Sequence, residues 1–411
     1  MNSSIESLPK TCDVLVIGGG PAGSAAAFTL AKAGLDVVLI DQHAFPRDKI
    51  CGDGLIPDAH KALDRLGVLD EVMRQAHAYS FLSCISPRGG RVDVAGTLAV
   101  LPRKQLDDIV CKAAVAAGAR MFAPVRFTAP IEEDGKVVGA RLAQAGHACE
   151  LRATWVVLAT GAVPQALIAA GMAERHTPSA IAMRCYIKND AMASKIDKLE
   201  VIWHKALAPG YGWIFPCGNG VFNVGVGIVT LPGKPAGKRD TSQGKAGTAN
   251  LHQMFEALGT LSEPARELMA GGTRLGPLKG APLRCTLQGA RLSRPGLLVT
   301  GEAAGSTYSF TGEGIGKALE TGILAAVAIL QGGDEAKVRA HYQSRIDALR
   351  PRFALYERAN LVNRYPWVAD LLIWRARKSA RMQQRLSGVL NETSNPGSLF
   401  TVKGFVRLFT E

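Results

Sequence analysis

The sequence has no pair of cysteines spaced as CxxC and no cluster of cysteine with histidine. Its eight cysteines are scattered, at positions 12, 51, 84, 111, 149, 185, 217 and 285. Scattered thiols argue against a zinc site and against a disulfide framework, and they suit a reducing cytoplasm. No metal is expected. Long apolar runs are also missing. The longest near the carboxyl end, GILAAVAIL at Gly322 to Leu330, is too short to span a bilayer and reads as a buried helix. The opening MNSSIESLPK has no apolar core, so no secretory signal is expected. Internal repeats are absent. Acidic residues are scarce at one end: from Lys337 onward there are 14 Lys and Arg against 5 Asp and Glu. Much of the net charge of +13 therefore belongs to a C-terminal segment. Such a segment suits an anionic surface.

What is present is the composition of a globular protein, 47% hydrophobic and 20% charged. A chain of 411 residues accommodates two or three subdomains. CDVLVIGGGPAGSAAAFTLAKAGLDVVLID reads as strand, turn, helix, strand, with a buried strand at Val14 to Ile17, a helix from about Pro21 to Ala33 and a second strand at Val37 to Ile40. Gly18, Gly20 and Gly23 make GxGxxG at the first turn. The spacing permits a tight turn, a close approach to a pyrophosphate and helix–strand packing. Asp41 ends the second strand, where a carboxylate can accept from ribose hydroxyls. Dinucleotide binding follows.

A second site distinguishes FAD from NAD. VTGEAAG at Val299 to Gly305 reads as a strand followed by an acid and small residues, and TGEGIGKALETG at Thr311 to Gly322 offers a fresh helix start. Backbone N–H groups there can stabilise the anionic oxygen of a flavin. No second GxGxxG domain exists for a pyridine nucleotide, so NAD(P)H is expected only as a transient electron donor. Between these sites the pattern predicts a helix over Pro57 to Leu66, strands within 78–101, a helix over Lys104 to Ala117 and a hairpin turn at Asp134-Gly135. Strands follow from Ile181 to Val229, then a mobile loop from Leu231 to Asn250 and helices over His252 to Met269. From Asp334 the chain is helical and basic.

Several segments resemble the geranylgeranyl reductase family, within the wider group of flavoproteins that includes the aromatic hydroxylases. They are GGGPAGSAAA with Asp41, KICGDGLIP, LPRKQLD, ATG at Ala159 to Gly161, PGYGWIFP at Pro209 to Pro216, GEAAG and FTGEGIGKALETG. The likeness covers residues 12 to 330. It implies an α/β fold: a Rossmann-type FAD-binding domain (1–78, 102–175 and 291–333) interrupted by an antiparallel β-sheet substrate domain (79–101 and 176–290), then a basic helical C-terminal segment (334–411). It places Arg47, Arg103, Gly161, Glu302, Gly312, Gly314 and Ile315 with Gly18, Gly20, Gly23 and Asp41 at the cofactor. Glu302 stands where aspartate is usual, and Tyr308-Ser309 replaces a common Asn-Pro.

The resemblance puts Cys51 beside the flavin ring, where a free thiol, mostly protonated at neutral pH, can donate a proton or lie against the ring. Tyr211, Trp213 and Phe215 alternate at strand spacing and share one side, as an apolar wall for substrate or as core. His176 and His204 are isolated and carry no assignment. The expected activity is FAD-dependent reduction of carbon–carbon double bonds in an apolar, isoprenoid substrate, served by an external electron donor. The alternative is an FAD-dependent monooxygenase acting on an aromatic small molecule or protein side chain. Trp367, Leu371, Trp374 and Lys378 recur at helical spacing, with Arg375, Arg377, Arg381 and Arg385 around them. They suggest either a peripheral membrane contact or the basic face of a docked helix, rather than nucleic-acid binding, with the protein cytoplasmic or at the inner face of a membrane.

Overall fold

The computed structural model describes residues 5–229 and 250–394. The loop expected from Leu231 to Asn250 lies, apart from Asn250, outside the described residues.

Five strands form a parallel sheet in the order Arg120–Phe122, Val37–Ile40, Thr11–Ile17, His147–Leu158, Leu297–Val299. Their apolar runs are unbroken because both faces are covered: Val14 to Val16, Val37 to Ile40 and Val156 to Leu158 are fully buried. Helices Pro21–Lys32, Arg103–Ala116 and Ile315–Gln331 pack with this sheet. The expected hairpin joins Arg126–Glu133 to Lys136–Gln144. Its turn residues Asp134 (φ 49°) and Gly135 (φ 78°) are both left-handed, as a two-residue hairpin requires.

The second sheet is built from two stretches of chain. Its order is Thr273–Arg274, Ala180–Lys188, Val221–Val229, Gly210–Pro216, Leu199–Ile202, His77–Ile85, Arg91–Val100, Gly54–Leu55, with Lys279–Leu283 also on Ala180–Lys188. The pairings are antiparallel except one. Leu199–Ile202 runs parallel to His77–Ile85, which is where the two stretches of chain meet. Ile214, Val224 and Val226 pack beneath helices Leu251–Leu258 and Glu263–Gly271. These are the helices expected over His252 to Met269. Ser262 starts the second by accepting from the Ala265 N–H at 3.2 Å.

The C-terminal segment is helical, as expected: Glu335–Ala359, Leu361–Arg364, Trp367–Ala376 and Ala380–Leu390. It is docked on the rest of the fold. Ile373, Ala376, Met382 and Leu390 share one apolar cluster with Ile56, Val92, Val94 and Leu98 of the second sheet and its entry loop.

Candidate active site

One continuous cavity of about 970 Å³ lies between the two sheets. It begins at Gly18, Gly20 and Asp41, passes Cys51, Arg103 and Gly312, and ends among Ile373, Leu386 and Leu390 of the C-terminal helices.

The polar end is a chain of alternating charges. Asp41 accepts from the Gly19 N–H at 2.9 Å, the His43 N–H at 2.9 Å and Arg47 Nε at 3.2 Å. Arg47 Nη1 continues to Asp107 at 3.0 Å. Arg103 closes on the same Asp107 with two bonds, from Nε at 2.7 Å and Nη2 at 2.9 Å. The Cys51 sulfur also lies near its guanidinium. Burial works against the Arg103 charge, but Asp107 and Cys51 outweigh it and hold the pKa above the usual arginine range. Asp107, the hub of this chain, carries no assignment from the sequence. Its i, i+4 spacing from Arg103 on one helix was the available signal.

The polar groups present fit FAD. A Cβ on Gly20 would meet only Arg47 Nη2, at 3.6 Å, and would otherwise stand in the cavity, so the backbone there is open to a phosphate. Gly18 has φ 109°, which glycine alone adopts freely. The helices beginning at Pro21 and Ile315 have glycine N-caps, Gly20 and Gly314, and no side-chain cap, so their first N–H groups are available at two places along one cavity. Gly161, Glu302, Gly312, Gly314 and Ile315 all line it. Glu302 accepts from Thr307 Oγ1 at 3.3 Å, and its carboxylate is 4.0 Å from Lys49 Nζ. Gly23 is buried at the helix–strand contact, where a Cβ would strike the Gly18 carbonyl at 1.8 Å.

The three alternating aromatics line the cavity together, with neighbouring ring centres 6.3 and 6.5 Å apart. Trp213 does more than supply surface. Its Nε1 donates to Asn223 Oδ1 at 3.0 Å, and Asn223 Nδ2 donates to the Cys51 carbonyl and to Asp53 Oδ2, both at 2.8 Å. The sheet thereby grips the Cys51 loop. Asp53 sits at φ 64° and also accepts from the Tyr186 hydroxyl at 2.5 Å. Burial pushes its carboxyl up to about 6, against the pull of those bonds. Tyr211 donates to the Thr311 carbonyl, tying the same strand to the second helix start. His176 and His204 do not line the cavity.

Tyr308-Ser309, the departure from Asn-Pro, joins this loop to the C-terminal helices. Tyr308 stacks on Tyr356 with ring centres 3.9 Å apart and 4° between planes. Its hydroxyl donates to Glu392 at 3.1 Å, and Ser309 Oγ accepts from Asn360 at 2.6 Å. Glu392 is also bound by Lys317 at 3.3 Å and Arg352 at 2.8 Å. This buried group, with Asp58 and Glu313, was not anticipated, because its members are far apart in sequence. Trp367 and Trp374 face outward, 61% and 47% exposed, while Ala369, Leu372 and Ile373 of the same helix line the cavity. Among the described residues no helix is long and apolar enough to cross a membrane.

The FAD binding domain family matches residues 11–262. A menaquinone reductase of Mycolicibacterium smegmatis is 32% identical over 332 residues, 78% of this chain and 77% of its own length. A digeranylgeranylglycerophospholipid reductase of Methanoculleus marisnigri is 33% identical over 326 residues, 76% of this chain and 75% of its own. A geranylgeranyl bacteriochlorophyll reductase-like protein of Thermoplasma acidophilum shares the fold, with a TM-score of 0.71 at 22% identity over 98% of this chain and 96% of that one. A flavin-dependent brominase shares it equally, with a TM-score of 0.73 at 20% identity over 97% and 99%. The charged cradle, the two open helix starts and the reductases above 30% identity converge: this chain is an FAD-dependent oxidoreductase and belongs to the FAD-binding domain family, in its geranylgeranyl reductase group.

Proposed function

We propose that the protein reduces carbon–carbon double bonds in an isoprenoid-type chain held in the apolar half of the cavity. The observation that carries this reading is continuity: the cradle at Gly18 to Asp41 opens, without a partition, into a chamber walled by Trp203, Tyr211, Phe310 and Leu372. A small polar aromatic has no need of such an apolar reach, whereas a polyprenyl chain fills it. The names of the menaquinone reductase and the digeranylgeranylglycerophospholipid reductase point to the same substrate class.

FAD, when bound, supplies the hydride. The protein's own residues do the rest. Asp41 orients the ribose, and the N–H groups at Gly20 and Gly314 receive the anionic oxygens. Trp213, through Asn223, holds the Cys51 loop against the chamber. The aromatic wall and the C-terminal helices keep water from the reacting carbons. Cys51 lines the cavity, and we retain it as a site residue in contact with the substrate or cofactor. An external donor reloads the enzyme, with NAD(P)H as a transient visitor. The outward Trp367 and Trp374, amid Arg375, Arg377 and Lys378, form the face on which the protein rests on an anionic membrane while the inner side of the same helix receives the chain.

Turnover under anaerobic conditions with a chemically reduced donor tests the reading. The product should gain two hydrogens in mass. A requirement for oxygen, with one labelled oxygen atom in the product, would instead establish a monooxygenase.

A further inference from the structure

Reduction of an isolated double bond needs a proton as well as a hydride, and the group that supplies it must be neutral, enclosed and beside the reacting carbons. Glu313 meets these conditions. It follows Gly312 at the second helix start and lines the cavity, and the surface it retains opens onto that cavity. No ion pair within 4.0 Å involves it among the described residues. The Thr311 hydroxyl, two residues before it, is buried and makes no hydrogen bond. The groups that face it come from five parts of the fold. Asp58 belongs to helix Pro57–Arg65, and Glu392 follows the last helix. Tyr211 is on strand Gly210–Pro216 of the second sheet, Tyr356 on helix Glu335–Ala359, and Lys317 on helix Ile315–Gln331. Two carboxyls and one ammonium thus surround it. Burial, then Asp58 and Glu392, push its pKa up to about 8, against the opposing effects of Thr311 and Lys317. The Cys51 sulfur, by contrast, lies beside the Arg103 guanidinium, a positive charge that favours a thiolate over a protonated donor.

We infer that Glu313 is the general acid of alkene reduction, the catalytic residue that delivers the proton to the carbon opposite the hydride. This rests on the reductase reading above. The step balances: the Glu313 O–H bond and the alkene π bond break, and two C–H bonds form, one from the carboxyl proton and one from the hydride of the FAD-dependent reduction. The carboxylate then recovers its proton from solvent. Asp58, Lys317 and Glu320 lead outward behind it, with Lys317 Nζ 3.7 Å from Asp58 and 2.8 Å from Glu320.

The test uses the FAD-loaded full chain with Glu313→Gln, Glu313→Asp and Cys51→Ser. Glu313→Gln should keep FAD and its reduction by the donor but slow product formation about 10²–10⁴-fold, and Glu313→Asp should restore part of the rate. A general acid works only while protonated, so wild-type product formation should be flat below pH 8 and fall above it, and Glu313→Gln should lose that fall. Independently of turnover, protonated-carboxyl infrared absorption of the wild-type protein should include a component that fades as pH rises through about 8, above the range of Asp53 and Asp58, and that component should be missing in Glu313→Gln. Full product formation in Glu313→Gln, loss of FAD from it, or the slowing and the altered pH profile in Cys51→Ser instead would each overturn the assignment. Wild-type protein that shows the band but reduces no alkene would contradict the reductase reading separately.

Discussion

The two ends of the cavity are made in opposite ways. At the cofactor end Gly18, Gly20, Gly23 and Asp41 come from one strand–helix–strand unit, and every partner is polar. At the far end Val94, Leu98, Ile373, Leu386 and Leu390 come from a sheet strand and two C-terminal helices some 280 residues later, and the lining is apolar. Charge and backbone geometry specify the first, whereas only packing specifies the second. Dispersion and burial are non-directional, so a far end assembled this way tolerates a change of shape that the cofactor end does not.

The largest effect expected from this contrast is at Gly20. Gly20→Val places a branched side chain where only Arg47 stands within 4 Å, in the space the pyrophosphate needs. The purified variant should fold but carry no FAD, as read from its flavin absorbance. Asn223→Ala comes next. It leaves the Trp213 N–H and the Cys51 carbonyl without the partner they share, at about 1–3 kcal/mol for each buried group. Thermal unfolding should begin earlier, and bound FAD should be lost more readily as the Cys51 loop loosens. Asp41→Ala should weaken FAD by about 1.5–3 kcal/mol, roughly ten- to a hundredfold in Kd. An unchanged Kd would show that Asp41 serves only Gly19, His43 and Arg47. The smallest effect belongs to the far end. Ile373→Val should cost about 0.5–1.5 kcal/mol in stability and leave the FAD Kd untouched, while shifting the preferred length of chain. A change in FAD affinity there would erase the distinction between the two ends.

The same contrast explains what could be read in the sequence. The parallel sheet, the hairpin at Asp134-Gly135 and the glycine turn that leads to Asp41 were legible because each is encoded within a short span by glycine position, apolar runs and one carboxylate. The alternation of Tyr211, Trp213 and Phe215 placed them on one side, but their period says nothing of Asn223, which turns Trp213 from wall into clamp. Asp107 was in view beside Arg103, yet only the fold brings Arg47 to it. Tyr308-Ser309 could be seen as a departure but not as a joint, since its partners Tyr356, Asn360 and Glu392 lie about 50 to 85 residues away. The parallel pairing of Leu199–Ile202 with His77–Ile85 was equally hidden, because local pattern does not encode which of two distant strands will meet. The basic C-terminal segment read as a membrane-facing or docked helix from its charge and spacing, with nothing to say what its inner side meets. Its inner side is in fact part of the cavity wall.

The most direct measurement is an anaerobic single turnover. Holoenzyme reduced by light is mixed with one equivalent of a polyprenyl lipid, and flavin absorbance is followed alongside product mass. The account predicts that the oxidised-flavin band returns without oxygen, in step with one equivalent of product two hydrogens heavier. A band that stays bleached until oxygen is admitted, with the lipid recovered unchanged, would contradict it.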